Sequence, residues 1–375
     1  MGLHNASPKL GGDPEFFVRN NESGNIISAD KFFPPKTHKM PVKINNSLLG
    51  ELFFDGVQAE MNFRASECRE SICYAIFQVL SKAKKVIGDN HSISTISSVV
   101  MPLKDLREAD PEARRFGCNP DWNAYTGLMN ECTLDGETHR TRYAGAHIHV
   151  GFSRYGQRGN EIIDNPQLHL NFVKLCDIIV GIPAILLDRS PESIRRKKTY
   201  GKAGCFRPTE YGIEYRVLSN FWLQSPVLVS LMMAFMRSAV SVMDSKLEDK
   251  FFNEIPEEDV IAAINSNSFG RAIKIYNKYK SIMTKLIDEP GSTPWTLDPY
   301  FTLDRFEFVV NKGISQLIPP AEISWGINDN GAIDTYNRSW VKGWASFSCV
   351  DLERDSSFGS FSKRFSRRGP FLSIR

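Results

Sequence analysis

His147 and His149 flank Ile148, and Glu214 and Arg216 flank Tyr215, in two runs that read as strands: Tyr143-Ala-Gly-Ala-His-Ile-His-Val and Tyr211-Gly-Ile-Glu-Tyr-Arg-Val-Leu. Successive side chains on a strand point to opposite faces, so each pair shares one face while the apolar residues between them turn to the other. Two further runs repeat the period. Gly12-Asp-Pro-Glu-Phe-Phe-Val sets Asp13 and Glu15 against Phe16 and Val18, and the run from Phe53 to Phe63 sets Gln58, Glu60 and Asn62 against Val57, Ala59, Met61 and Phe63. A chain patterned this way is constrained to a sheet with one apolar face and one polar, mostly anionic, concave face.

Half-buried antiparallel strands with a solvated face give the same alternation. Solvated faces draw on Lys, Thr, Ser and Glu, however, whereas these use Asp, Glu, His, Gln and Arg at i,i+2, side chains that coordinate metals and phosphates. Together they suit a hard divalent cation and a polyphosphate. A zinc hydrolase or cupin-like site is the competing use of His-x-His. Zinc favours few ligands of nitrogen or sulfur, while several carboxylates suit Mg²⁺ or Mn²⁺. No Gly-x-x-x-x-Gly-Lys-Ser/Thr loop is present, and no Gly-x-Gly-x-x-Gly follows a strand, so P-loop and dinucleotide-binding chemistries lack their phosphate cradle. Gly201-Lys-Ala-Gly taken alone is an ordinary turn.

Six motifs in order along the chain are Gly12-Asp-Pro-Glu-Phe-Phe, Asp55-Gly-Val-Gln-Ala-Glu-Met-Asn, Phe116-Gly-Cys-Asn-Pro-Asp, Gly145-Ala-His-Ile-His-Val-Gly, Tyr200-Gly-Lys-Ala-Gly-Cys-Phe-Arg and Tyr211-Gly-Ile-Glu-Tyr-Arg-Val-Leu. In this order the chain resembles the type-2 COOH-NH2 ligases (amidoligases) of bacteriophages and bacteria, within the glutamine synthetase and glutamate–cysteine ligase superfamily. The resemblance ends near Leu247 and leaves the last third without a matching motif. It implies an α+β fold, a curved, mainly antiparallel sheet with helices on one face and the active site on the other. It further implies that Asp13, Glu15, Glu60, His147 and Glu214 ligate divalent ions, Mg²⁺ or Mn²⁺. Arg216 would stabilise the transferring phosphoryl group, and His149 would line the nucleotide or acid pocket. Arg207, with Arg195 or Arg196, Tyr200 and Lys202, would hold the phosphates of ATP. The superfamily's first strand carries a second Glu where this chain has Asp13, and Asp55 is either an extra ligand or a turn residue.

The implied chemistry is coherent. A carboxylate and an amine at neutral pH form a salt, because the carboxylate is a poor electrophile and the ammonium lacks a lone pair. ATP activates the carboxylate as an acyl phosphate, and the protein's part is positioning and charge neutralisation by Mg²⁺, Arg and Lys. Carboxylates alone would repel ATP, so basic residues are needed beside them. Arg195-Arg-Lys-Lys, which alone reads as a solvated surface run, gains meaning from its place before Tyr200 and Arg207. A metal-dependent ATP phosphotransferase of guanidino-kinase type would use the same phosphate residues. An inactive binding or structural protein that kept the sheet is the third alternative. The substrates expected are a small-molecule or peptide carboxylate and an amine.

A net charge of +3 in 375 residues gives no argument for nucleic acid. Seven scattered cysteines, odd in number, read as reduced thiols of a cytoplasmic protein, host cytoplasm if phage-encoded. Met1-Gly-Leu-His-Asn-Ala-Ser lacks the basic and apolar regions of a secretory signal. Pro226 to Met243 reads as a buried helix rather than a membrane span, as does Phe172 to Leu187 with a break at Pro183. Strands are expected near 13–18, 24–28, 52–63, 145–152 and 211–219, and helices near 67–87, 167–187, 225–246, 257–264 and 268–287. A catalytic domain is expected over 1–288. A carboxy-terminal extension over 289–375 follows, aromatic-rich with Trp295, Trp325, Trp340 and Trp344, with an amphipathic piece from Phe301 to Val310 and a basic tail.

Overall fold

In the computed structural model, which describes residues 8–116, 121–130, 134–136, 138–152, 159–288 and 297–312, the alternating runs assemble into one antiparallel sheet of 12 strands. In chain order the strands are β1 (Lys9–Gly12), β2 (Glu15–Asn20), β3 (Ile26–Ile27), β4 (Met40–Ile44), β5 (Ser47–Asp55), β6 (Gln58–Ser66), β7 (His91–Ser94), β8 (Ser98–Val100), β9 (Asp121–Asn123), β10 (Met129–Asn130), β11 (Thr141–Tyr143), β12 (Ile148–Gly151), β13 (Cys205–Thr209) and β14 (Gly212–Tyr215). The sheet runs β10-β9-β13-β14-β12-β1-β6-β2-β3, with β5 also on β6, β4 on β5 and β7 on β2. β8 and β11 form a separate pair.

Two strands differ from the sequence expectation. The run 52–63 is a hairpin, in which β5 and β6 turn at Gly56 with Asp55 opposite Gln58. Gly56 has φ +70°, and Asp-Gly is a strong signal for a tight hairpin turn. Asp55 is therefore both a turn residue and, as shown below, a wall of the cavity. The first strand is interrupted at Asp13-Pro14, and its halves both pair with β6, through Gly12 opposite Phe63 and Glu15 opposite Glu60. Pro14 has no N–H for a ladder. Its carbonyl accepts from Met61 N–H at 3.1 Å, and the kink frees Asp13 from the pleat.

The apolar face of the sheet supplies Ala59, Met61, Ile148, Val150, Ile213 and Tyr215 to one core, against Ile72, Ile76 and Val79 of helix Arg69–Ile87, Phe172 of helix Pro166–Cys176, and Leu228, Met232 and Phe235 of helix Pro226–Asp244. Each large apolar side chain buried here contributes ~1.5–3 kcal/mol. Helix starts follow local chemistry. Asn165, Ser190 and Ser225 each accept a hydrogen bond from the first turn and each precede a proline, whose missing N–H is no loss there. The two stretches long and apolar enough to cross a bilayer, Pro166–Leu187 and Pro226–Asp244, lie mostly buried in this core. Within the carboxy-terminal extension, helix Leu297–Lys312 packs on the same core through Leu303, Phe306 and Val309. Its buried Glu307 accepts from Tyr276 Oη at 3.1 Å and Lys280 Nζ at 2.5 Å. The tryptophans of the extension and its basic tail lie outside the described residues, as do Gly117 to Pro120 of the third motif. Cys68, expected as a free thiol, is disulfide-bonded; linear spacing does not report which cysteines the fold brings within bonding reach.

The expected break at Pro183 does not occur. A π-turn, Asp177–Gly181, shifts the hydrogen-bond ladder ahead of the proline, and the chain continues as helix Ile182–Leu187. Asp177, fully buried in this turn, accepts from Gly204 N–H and from Tyr215 Oη, each at 2.7 Å, tying the helix layer to β13 and β14. Burial pushes its carboxyl up to about 6, against the hydrogen bonds that pull it down. The folded-state value exceeds the unfolded one, so this group's contribution to stability is full below about pH 4 and is lost as pH rises through about 6. Asp177→Asn, neutral throughout, is expected to remove that decline, on the order of 3 kcal/mol. Urea unfolding across this range measures it, and an unchanged pH slope in the variant would refute the assignment.

Candidate active site

The polar face draws its side chains together by register. His149 faces Glu214 across β12 and β14, Arg207 faces Glu214 across β13 and β14, and Glu15 faces Glu60 across β2 and β6. Gly11 lies opposite His149, where a Cβ would first meet Ala65 Cβ at 3.3 Å. His147 sits just before β12 and Arg216 just after β14, where the strands end.

Ligand atoms of Asp13, His147 and Glu214 lie within 4.8 Å of one another. His147 Nδ1 is 3.0 Å from Asp13 Oδ1 and 3.2 Å from Glu214 Oε1, and His149 Nε2 is 3.3 Å from the same Asp13 oxygen. These contacts are short, yet Asp13 Oδ1, His147 Nδ1 and His149 Nε2 are buried without a hydrogen bond of proper geometry. A cation shared by Asp13, His147 and Glu214 would satisfy these atoms of the trio. Ligands at about 2.1 Å in octahedral geometry are spaced about 3.0 Å apart at cis positions. The donor set therefore fits a hard divalent ion. The other nitrogen of His147, Nε2, lies 2.9 Å from Tyr200 Oη, which also accepts from Arg216 Nη2 at 2.5 Å, so the ring is oriented from behind as metal-binding imidazoles require.

Electrostatics follow the same division. Burial opposes charge on every member. Around His147 the carboxylates win: Asp13 and Glu214 hold the imidazolium above its usual range, despite burial and Arg216. In return the histidines hold Asp13 well below the carboxylate range, and His147 with Arg216 holds Glu214 at about 2. Glu15 and Glu60 behave oppositely. Burial, reinforced by neighbouring carboxylates, raises both, Glu60 the further. Glu15 accepts from Gly145 N–H at 2.5 Å and Gln58 Nε2 at 3.4 Å, so neither Glu15 nor Glu60 joins the convergent trio. A side chain at Gly145 would meet His147 Nε2 at 2.8 Å, which is why glycine stands there.

A cavity of about 50 Å³ opens over these groups, lined among others by Asp13, Glu15, Glu60, His147, Tyr200, Arg207 and Arg216. Arg207 is on β13 itself and donates to Glu214 Oε2 at 3.0 Å. Arg216, almost wholly buried, donates to Glu214 Oε1 and lies 3.5 Å from Asp121 Oδ2. The other basic residues named from the sequence sit elsewhere. Lys202 is exposed and Arg195 half-buried, and neither lines the cavity. Arg196 is fully buried behind Tyr200, its guanidinium 4.7 Å from that ring and bonded to Val217 O. Helical geometry explains the split, because adjacent residues of helix Pro191–Lys197 point about 100° apart. Three residues carry no signal in the strand pattern. Lys36 lines the cavity, Asp121 anchors Arg216, and Tyr211 stacks on His149 with ring centroids 6.2 Å apart. Asp121 closes the third motif and Tyr211 opens the sixth, which leaves Lys36 as the one without a sequence clue.

Among curated proteins, none matches this chain. A comparison of solved structures relates it to a bifunctional glutathione synthetase from Pasteurella multocida at 11% identity and a TM-score of 0.38, over 80% of this chain and 52% of that one, so the chain spans about half that protein's length. The family described as phage phiEco32-like COOH.NH2 ligase-type 2 matches residues 133–289. His147, Tyr200, Arg207, Glu214 and Arg216 all fall inside the matched segment, and the match points to a carbon–nitrogen ligase.

Proposed function

We propose that the protein is an ATP-dependent carboxylate–amine ligase that forms an amide or peptide bond through an acyl phosphate. The observation that carries this reading is the convergence of Asp13, His147 and buried Glu214 beside Arg207 and Arg216, all but Glu214 lining one cavity. Metal ligands and phosphate-binding guanidiniums share a wall, as phosphoryl transfer requires. Asp13, His147 and Glu214 would hold a Mg²⁺ or Mn²⁺ ion, whose chemistry is to neutralise phosphate oxygens. Arg207, half-exposed at the mouth, binds ATP phosphates in the ground state. Arg216, buried and braced by Glu214, Tyr200 and Asp121, presents a fixed guanidinium to the phosphoryl group in flight. Tyr200 orients His147 and Arg216 together. His149, in a hydrogen bond with Tyr211 at 2.9 Å, does not itself line the cavity and braces Asp13, whose Oδ1 lies 3.3 Å from its Nε2. Glu60, held above the usual carboxylate range by burial, is placed to take a proton from the attacking ammonium once ionised.

Incubation with ATP, Mg²⁺ and pooled acids and amines is the test, with products followed by mass spectrometry. Amide together with ADP and inorganic phosphate is expected. A stable phosphorylated product without amide would identify a phosphotransferase instead, and no turnover with any pool would leave the ligase reading without support.

A further inference from the structure

The oxygen donors of the cavity fall into two groups that differ in what sits among them. Asp13 and Glu214 converge with His147 on an open centre. Asp55 Oδ2 and Glu60 Oε2 instead close on an ammonium, with Lys36 Nζ at 2.8 Å from the first and 3.7 Å from the second. Gln58, in the same wall, is nine-tenths buried, and its Oε1 has no hydrogen-bond partner. Two carboxylates and an amide oxygen would themselves suit a hard cation if the ammonium were not there.

The backbone delivers Lys36 to this place. Pro35 bridges to Phe54, and Phe54 N–H donates to Pro34 O at 2.9 Å, so the chain just before Lys36 is pinned along the end of β5. Its Nζ also lies 5.5 Å from the centroid of the Phe53 ring. Charge points the same way. With every carboxylate ionised and His147 neutral, the state a bound metal requires, Asp13, Glu15, Asp55, Glu60 and Glu214 face Lys36, Arg207 and Arg216, which leaves two negative charges unbalanced, the charge of one divalent ion. Asp121 behind Arg216 and Arg196 behind Tyr200 offset each other.

We propose that Lys36 is a built-in cation standing in for a second divalent ion, so that the chain alone holds one such ion, at Asp13, His147 and Glu214, and its ammonium closes the Asp55–Glu60 end to another. The proposal rests on the metal-dependent reading above, and its test is separable because it uses neither ATP nor substrates. Mn²⁺ binding, titrated by electron paramagnetic resonance, should give one tight site per chain in the wild type and in Lys36→Arg. Lys36→Met should give two, and Lys36→Met combined with Glu60→Gln should return to one. The side chain of Lys36 is half-exposed, and the Lys36→Arg protein controls for folding. A single site in Lys36→Met, or two in the wild type, would overturn the Lys36 proposal while leaving the ligase reading to its own assay. No tight site in the wild type would overturn it together with the metal assignment.

Discussion

Arg216→Ala is expected to lower kcat by on the order of 10²-fold or more, with ATP affinity largely kept, because its contact matters chiefly when charge moves onto the transferring phosphoryl oxygens. The guanidinium is held from three sides, by Glu214, by Tyr200 Oη and by Asp121. It needs no reorganisation as the reaction proceeds. Arg207, with 30% of its side chain exposed and one carboxylate partner, is less constrained, so Arg207→Ala should raise KM for ATP more than it lowers kcat. Arg216→Lys should not rescue, since a point charge cannot replace a planar fork that reaches a carboxylate and a phenol at once. Mn²⁺ affinity separates catalysis from collapse of the site. It should survive in Arg216→Ala, because Asp13 and His147 remain. Near-normal turnover of Arg216→Ala, with normal ATP binding by Arg207→Ala, would contradict both assignments.

These roles were partly legible in the sequence, and the limits are physical. Period-two spacing identified His147 with His149 and Glu214 with Arg216, because a strand's pleat fixes relative facing over two residues whatever the strand pairs with. Their mutual approach depends on β12 lying between β1 and β14, which spacing along one strand cannot report. The same period concealed the hairpin at Gly56. Gln58, Glu60 and Asn62 alternate correctly along β6, and the turn just before them leaves that phase intact. The basic run Arg195-Arg-Lys-Lys misled for a related reason, since charge density along the chain says nothing of the helix that turns Arg196 inward. Lys36 follows Pro34-Pro35 in a stretch without periodicity, and only the pairing of Pro35 with Phe54 carries it to the cavity. Helices such as Arg69–Ile87 and Phe269–Asp288 were legible almost to the residue, because their apolar stripes are set by local geometry alone.

The metal assignment predicts a difference measured with and without the ion. Wild-type protein at about one hundred times the dissociation constant of Mn²⁺ should gain about 2.7 kcal/mol by mass action on the native state, a rise of several degrees in Tm. His147→Ala should lose that gain. It removes the nitrogen that lies within 3.2 Å of both carboxylates, and leaves Asp13 and Glu214 without the imidazole between them. The metal-free variant should also melt lower, for the same reason, so the informative quantity is the increment on adding metal rather than Tm itself. Acidity supplies an independent check. Asp13 and Glu214 hold His147 protonated to higher pH than an isolated histidine, and the metal binds only the neutral ring. Protons therefore compete more strongly as pH falls, and the Mn²⁺ increment should shrink between about pH 8 and about pH 6 in the wild type. Stabilisation that was independent of pH across that range, or equal in His147→Ala, would place the ion somewhere other than Asp13, His147 and Glu214.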